Sequence, residues 1–123
     1  MILLDTDACL SFLGGNRKLL ELYGDSPDEI GIPAPCVQEL FFIAGRSSDP
    51  ERNTELIETL LLTVRIAYPD LPVLRHAASI QGRVAVDGIW TTQVDLLLYS
   101  MTKVYGARLV TAHGKRYVFH VKQ

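Results

Sequence analysis

Ile2, Leu3 and Leu4 form a short apolar run without polar alternation, the pattern of a strand buried on both faces, and Asp5 stands at its C-terminal end. Ala8 to Leu13 supply a turn of helix that Gly14-Gly15 stops, and Arg17 to Tyr23 read as another short helix ended by Gly24. Ile30 to Ile32 predict the next strand. Pro35 suits the first helical position, and Cys36, Val37, Leu40, Ile43 and Ala44 recur on one helical face as far as Gly45, with Glu39 at the edge of that stripe. A long helix is predicted from about Pro50 to Tyr68. One apolar stripe on it runs through Leu56, Ile57, Leu60, Val64 and Ala67, and a second through Leu62 and Ile66. Pro69 and Pro72 break the chain, Val73 to Gln81 read as a helix closed by Gly82, and Val84 to Val86 as a short strand. Thr92 to Tyr105 is the next helix, capped by Gly106; Arg108 to Thr111 and Tyr117 to Val121 are strands.

Strands alternating with helices predict a three-layer α/β/α sandwich around a central, mostly parallel sheet of four to five strands. A chain of 123 residues without internal repeats is the size of one domain, residues 1–123. The opening residues lack a basic region and carry two carboxylates where a signal peptide is apolar, and no later stretch has the length of a membrane span, so a soluble, cytoplasmic protein is expected. Cys9 and Cys36 are too few for a disulfide framework or a four-ligand zinc site and read as small buried hydrophobes. A net charge of −2 leaves RNA binding, if present, to local basic residues and a metal.

In an open parallel sheet, ligands bind beyond the carboxyl ends of the strands, which directs attention to Asp5. A carboxylate attached to a buried central strand gains little water and needs a partner, and a cation is one. Asp7, two residues on, fits the cap of the following helix. Glu39 is either a surface group or one of an inward-facing set, and Thr92-Gln-Val-Asp95 fits a capping box, in which Asp95 folds back on the helix start.

Taken jointly, these segments resemble the PIN-domain ribonucleases, especially the short VapC-like toxins of bacterial toxin–antitoxin pairs. Ile2-Leu-Leu-Asp-Thr-Asp-Ala-Cys-Leu-Ser-Phe-Leu resembles the family's opening, Ile32-Pro-Ala-Pro-Cys-Val-Gln-Glu-Leu its second block, and the segment from Asp95 to Thr111 its acid-led helix, closing glycine and Leu-Val-Thr strand. The resemblance implies a PIN-like fold, a Mg²⁺- or Mn²⁺-dependent endoribonuclease, and Asp5, Glu39 and Asp95 as metal-binding catalytic acids. Where many members carry a fourth acid, two residues beyond the threonine, this chain has His113. Asp7, Thr111 and His113 are accessory positions, and Arg46, Lys115 and Arg116 the candidates for substrate phosphates. Trp90 and Tyr99 are candidates for stacking on an unpaired base.

The expected partners are RNA, an antitoxin and a second copy of the chain, with Phe42, Leu62 and Ile66 as the apolar surface for docking. Two alternatives stand beside this reading. One is a PIN domain that binds without cutting; the other is a haloacid-dehalogenase-type phosphatase, whose opening Ile2-Leu-Leu-Asp-Thr-Asp also resembles and which would make Asp5 a nucleophile.

Overall fold

The structure is a computed structural model and describes residues 1–15, 30–87 and 92–111. Four strands alternate with five helices among the described residues: β1 (Ile2–Leu4), α1 (Thr6–Leu13), β2 (Ile30–Pro33), α2 (Ala34–Gly45), α3 (Pro50–Thr63), β3 (Arg65–Ala67), α4 (Leu71–Asp87), α5 (Gln93–Tyr105) and β4 (Arg108–Val110). The strands form one sheet in the order β3-β2-β1-β4. All its pairings are parallel, with Ile2 opposite both Ile30 and Arg108, and Gly31 opposite Arg65.

β1 is central, which is why it carries no polar residue. Ile2 and Leu4 join Ile30 and Ile32 against one helical layer, meeting Ala8 and Cys9 of α1, Cys36 and Leu40 of α2, and Ile57 and Leu60 of α3. Leu3 points the other way and packs with Ala67, with Val73 of α4 and with Met101 of α5. The fold is therefore the expected α/β/α sandwich. No helix among the described residues is long and apolar enough to cross a membrane.

Several boundaries differ from the sequence reading, each for a physical reason. α1 begins at Thr6 rather than Ala8, because the Asp5 carboxylate accepts the Ala8 N–H at 2.8 Å and so starts the helix earlier. α2 begins at Ala34, one residue before Pro35. The helix expected to reach Tyr68 stops at Thr63: Val64 is extended, at φ −117° and ψ 133°, and Arg65–Ala67 pair with β2. The open edge of β2 offers these residues a full set of ladder hydrogen bonds, and β-branched Val64 and Ile66 adopt strand geometry readily, so tertiary pairing overrides the helical period. Ile66 consequently shares no helical stripe with Leu62, which is 86% exposed.

α4 runs through Gly82 to Asp87, where a stop and a short strand at Val84–Val86 were expected. An isolated glycine costs a helix about 1 kcal/mol and does not end it without a competing structure; Ile80, two residues before it, is anchored on Leu96 of α5. Gly106 does end α5, in the left-handed region at φ 62°. The helix expected at Arg17–Tyr23 and the strand expected at Tyr117–Val121 lie outside the described residues.

Gly82 is exposed, and an added Cβ there meets nothing within 4 Å. Gly82→Ala is therefore expected to raise the unfolding free energy by about 0.5–1 kcal/mol in chemical denaturation, through better helix propensity alone. A loss of stability would show that α4 is broken at this point.

Candidate functional site

The starts of α1, α2 and α5 meet at the carboxyl end of the sheet, around a cavity of about 150 Å³. Four carboxylates line it, those of Asp5, Asp7, Glu39 and Asp95, together with Thr6 and Thr92. Asp5 is held at three points. Its backbone N–H donates to the Val110 carbonyl at 3.2 Å, its carbonyl accepts from Cys9 at 3.0 Å, and its carboxylate caps α1. The residue is 2% exposed and Asp95 6%. Asp95 lies in the first turn of α5, where its backbone N–H donates to Thr92 Oγ1 at 3.1 Å, one half of the predicted capping box. The helix cap assigned to Asp7 by the sequence belongs to Asp5, and Asp7 instead borders the cavity, half-buried.

Glu39 lines the same cavity from α2 but is exposed. Continuing the register that sets Leu4 beside Val110 places Thr111 next to Asp5. Arg46 is exposed at the far end of α2, with its guanidinium 5.1 Å from the Phe42 ring centroid, and does not border the cavity. Tyr99 also lies away from it, between His76 and Lys103. Trp90, His113, Lys115 and Arg116 lie outside the described residues.

The donor set suits a hard divalent cation. It offers carboxylate and hydroxyl oxygens in a partly enclosed site, and gathered carboxylates repel one another unless a cation neutralises them. Among the described residues, no three His, Cys, Asp or Glu side chains already stand together closely enough to hold an ion. The fit is thus one of chemistry and enclosure. Of the four acids, Asp5 and Asp95 are buried, Asp7 is half-buried and Glu39 is exposed.

A family model for the PIN domain matches residues 2–119. The chain belongs to the PIN-domain family. This membership also decides between the two resemblances of the opening strand, against the phosphatase. Solved structures agree on the fold. DNA-bound VapBC from Salmonella typhimurium superposes with a TM-score of 0.83 at 20% identity, covering 94% of this chain and 89% of that one. VapBC-1 from nontypeable Haemophilus influenzae gives 0.81 at 21%, covering 95% and 90%. Mycobacterium tuberculosis VapC20, a sarcin-ricin loop cleaving toxin, gives 0.67 at 16%, covering 97% and 96%. At such identities the likeness is one of fold. No curated protein sequence matches the chain.

Four residues of this PIN domain's cavity escaped the sequence reading as site residues, Thr6, Cys36, Thr92 and Val94. Cys36 lies three residues before Glu39 and so shares its helical face, the signal that could have placed it there. Burial pushes the Cys36 thiol up to about 11; hydrogen bonding with Thr6 pulls it back, and the Glu39 and Asp5 carboxylates add to the rise. Cys9 is raised too, first by burial and then by Cys36 and Asp5. Both thiols are neutral at pH 7, so they behave as buried hydrophobes rather than as nucleophiles or ligands.

Between its ordinary value of 9 and about 11, the folded chain keeps a Cys36 proton that the unfolded chain has lost. Stability contributed by the protonated thiol is full below pH 9 and falls as pH rises through that window. Urea titrations from pH 8 to 11 should show a steeper loss in the native protein than in Cys36→Ala, by roughly 1–3 kcal/mol over the window. Parallel curves would contradict the burial of the thiol.

Proposed function

We propose that this PIN domain is a Mg²⁺- or Mn²⁺-dependent endoribonuclease that hydrolyses RNA phosphodiester bonds at the cavity between Asp5, Glu39 and Asp95. The observation that carries the reading is the placing of two carboxylates, each more than nine-tenths buried, against one small cavity with two further acids at its walls. Buried charge of one sign is strongly unfavourable without a counter-charge, and a divalent cation bound by oxygens is the counter-charge that suits phosphate chemistry. Asp5 and Asp95 supply ligand oxygens whose positions are fixed by their helix starts, and Glu39 supplies the third from the open side. Asp7 and Thr111 stand at the rim, where they can orient a water or a phosphate oxygen. When bound, the cation supplies Lewis acidity toward water and the scissile phosphate.

Family membership and the fold shared with VapBC structures support a further proposal, that the protein is the toxin of a toxin–antitoxin pair and acts in the cytoplasm. An apolar cleft of about 250 Å³ lined by Leu10, Leu13, Ile43 and Leu56 supports docking of an antitoxin segment. Phe42, 61% exposed, and Leu62, 86% exposed, are further apolar surface outside the cleft and support a homodimer as well. A second reading, binding of RNA or protein without cleavage, draws on two observations: no ready three-ligand cluster among the described residues, and His113 where the family pattern has its fourth acid.

Cleavage of a panel of structured and single-stranded RNAs tests the two readings. Metal-dependent cutting is expected from the native protein, with a loss of about 10²-fold or more in Asp5→Asn, Glu39→Gln and Asp95→Asn, equivalent to several kcal/mol of lost transition-state stabilisation. Asn caps a helix about as well as Asp, so Asp5→Asn retains the cap of α1. Mn²⁺ should also raise the melting temperature of the native protein, by the equivalent of about 2.7 kcal/mol at one hundred times its dissociation constant, and should not raise that of Asp95→Asn. Absence of both cutting and metal stabilisation would favour the binding-only reading, and cutting that survives all three substitutions would remove these acids from the reaction.

A further inference from the structure

The net charge of −2 conceals a strong division along the chain. Residues 1–70 hold five Lys/Arg against twelve Asp/Glu, a net of −7, whereas residues 71–123 hold seven against two, a net of +5. For the described residues the topology turns this division into one in space: α1 to α3 cover the face of the sheet on which Ile2 and Leu4 lie, and α4 covers the other together with Met101 of α5, whose Val94 and Leu98 also reach the first cluster. On the first side, Asp49, Glu51, Glu55 and Glu58 are all exposed along α3. On the second, Arg75 and Arg83 of α4 and Lys103 of α5 are exposed.

Basic and aromatic positions also follow a line along the α4–α5 contact toward the end of α5 that carries Asp95. α4 and α5 pack antiparallel, since Ile80 meets Leu96 while His76, earlier in α4, meets residues later in α5. His76 Nδ1 lies 3.0 Å from the hydroxyl of fully buried Ser100, and its ring centroid is 6.1 Å from that of Tyr99. Lys103 continues the line with its ammonium 5.5 Å from the Tyr99 centroid. Arg83, seven residues from His76, lies on the same stripe of α4 and is level with the first turn of α5, the turn that carries Asp95 into the cavity. Along α5, Asp95 and Lys103 are about 12 Å apart. Arg83, the His76–Tyr99 pair and Lys103 therefore form one seam that leads away from the cavity.

We infer that this α4–α5 seam is the track of the RNA backbone beyond the cleavage site, with Arg83 and Lys103 as phosphate contacts on a floor set by His76 and Tyr99. The inference rests on the nuclease reading and names the surface by which the substrate is held. An acidic cavity repels a polyanion, and so does the acidic face of α3; a cationic seam running from the level of the first turn of α5 offsets that repulsion on one side only and so fixes the direction of approach. The guanidinium of Arg83 offers a fork of donors to a phosphate, and the ammonium of Lys103, held against an aromatic ring, offers a localised point charge.

Binding of a fluorescein-labelled single-stranded 2′-O-methyl RNA, with Mg²⁺ and over a range of salt, tests the seam separately from cleavage. Arg83→Gln and Lys103→Gln should each weaken binding several-fold at low salt and lower the slope of log affinity against log salt by about 0.7, the value for one contact to a single strand. Arg83→Lys should keep most of the slope, and Arg52→Gln on α3 should match the native protein. On cleavable RNA, both seam variants should raise KM with kcat unchanged. Equal affinity and slope in the native protein and both seam variants overturn the seam and leave the nuclease reading standing. Seam-dependent binding with no metal-dependent cutting retains the seam and sinks the nuclease instead. Absence of RNA binding by the native protein, or capture of polyglutamate in place of RNA through the same two residues, also overturns the inference, the latter in favour of an acidic protein partner.

Discussion

Keeping a carboxylate at the end of a buried central strand costs several kcal/mol unless its charge is met, and the site is organised around meeting that cost at Asp5. The residue cannot move to water, because its N–H belongs to the ladder with Val110 and its carbonyl begins the hydrogen bonding of α1. One carboxylate oxygen takes the Ala8 N–H, which makes Asp5 the cap of α1 and directs the chain back over the sheet. Strand, cap and cavity wall are thus three roles of one side chain. The parallel register extends the same constraint to β2 and β4, whose carboxyl ends are level with that of β1, so that whatever follows them is delivered to the same edge of the sheet.

The acids around the cavity differ in burial in a way that follows from where each stands in its helix. Asp5 is an N-cap and Asp95 is in the first turn of α5, positions where unsatisfied N–H groups and the positive end of the helix dipole favour a negative charge. Glu39 is in the second turn of α2, beyond the reach of that effect, and it is the exposed one of the three. Backbone dipoles therefore support two carboxylates in a place where a third has no such support and remains in water. A cation bound at the cavity, as proposed above, would add what the helix starts cannot: full positive charge, enough to hold a third acid against the first two.

What the sequence makes legible follows from how local each signal is. The strand Ile2–Leu4 and the cap and glycine stop of α5 are set by residues within a few places of one another, and they stand where the pattern puts them. Val64 to Ala67 fail as a helix because the decisive interaction is with β2, more than thirty residues earlier, and no local period reports it. Gly82 fails as a stop because an isolated glycine lowers helix propensity without supplying a competing structure, while Ile80 just before it is held against Leu96 of α5. The same holds for chemistry. Asp95 read alone is half of a capping box, and that is also what its backbone does; its role as a cavity wall is visible only once the topology brings α5 to the end of β1.

Net charge is the clearest case of a quantity that loses its meaning when averaged over the chain. A value of −2 weighs against holding a polyanion only if the charge is spread evenly. Here the acids of α3 and the cations of α4 and α5 are separated by the sheet and its two packing layers, on the order of 20 Å at about 10 Å per layer. The Debye length in physiological salt is about 8 Å, so a phosphate at the α4–α5 seam interacts with Arg83 and Lys103 and is largely screened from Glu51 and Glu55. For such a strand the relevant charge is that of the layer it touches. A small α/β sandwich can therefore carry an acidic pocket, an acidic outer face and a cationic track without conflict, provided that the cations are on the opposite layer, where α4 and α5 hold them.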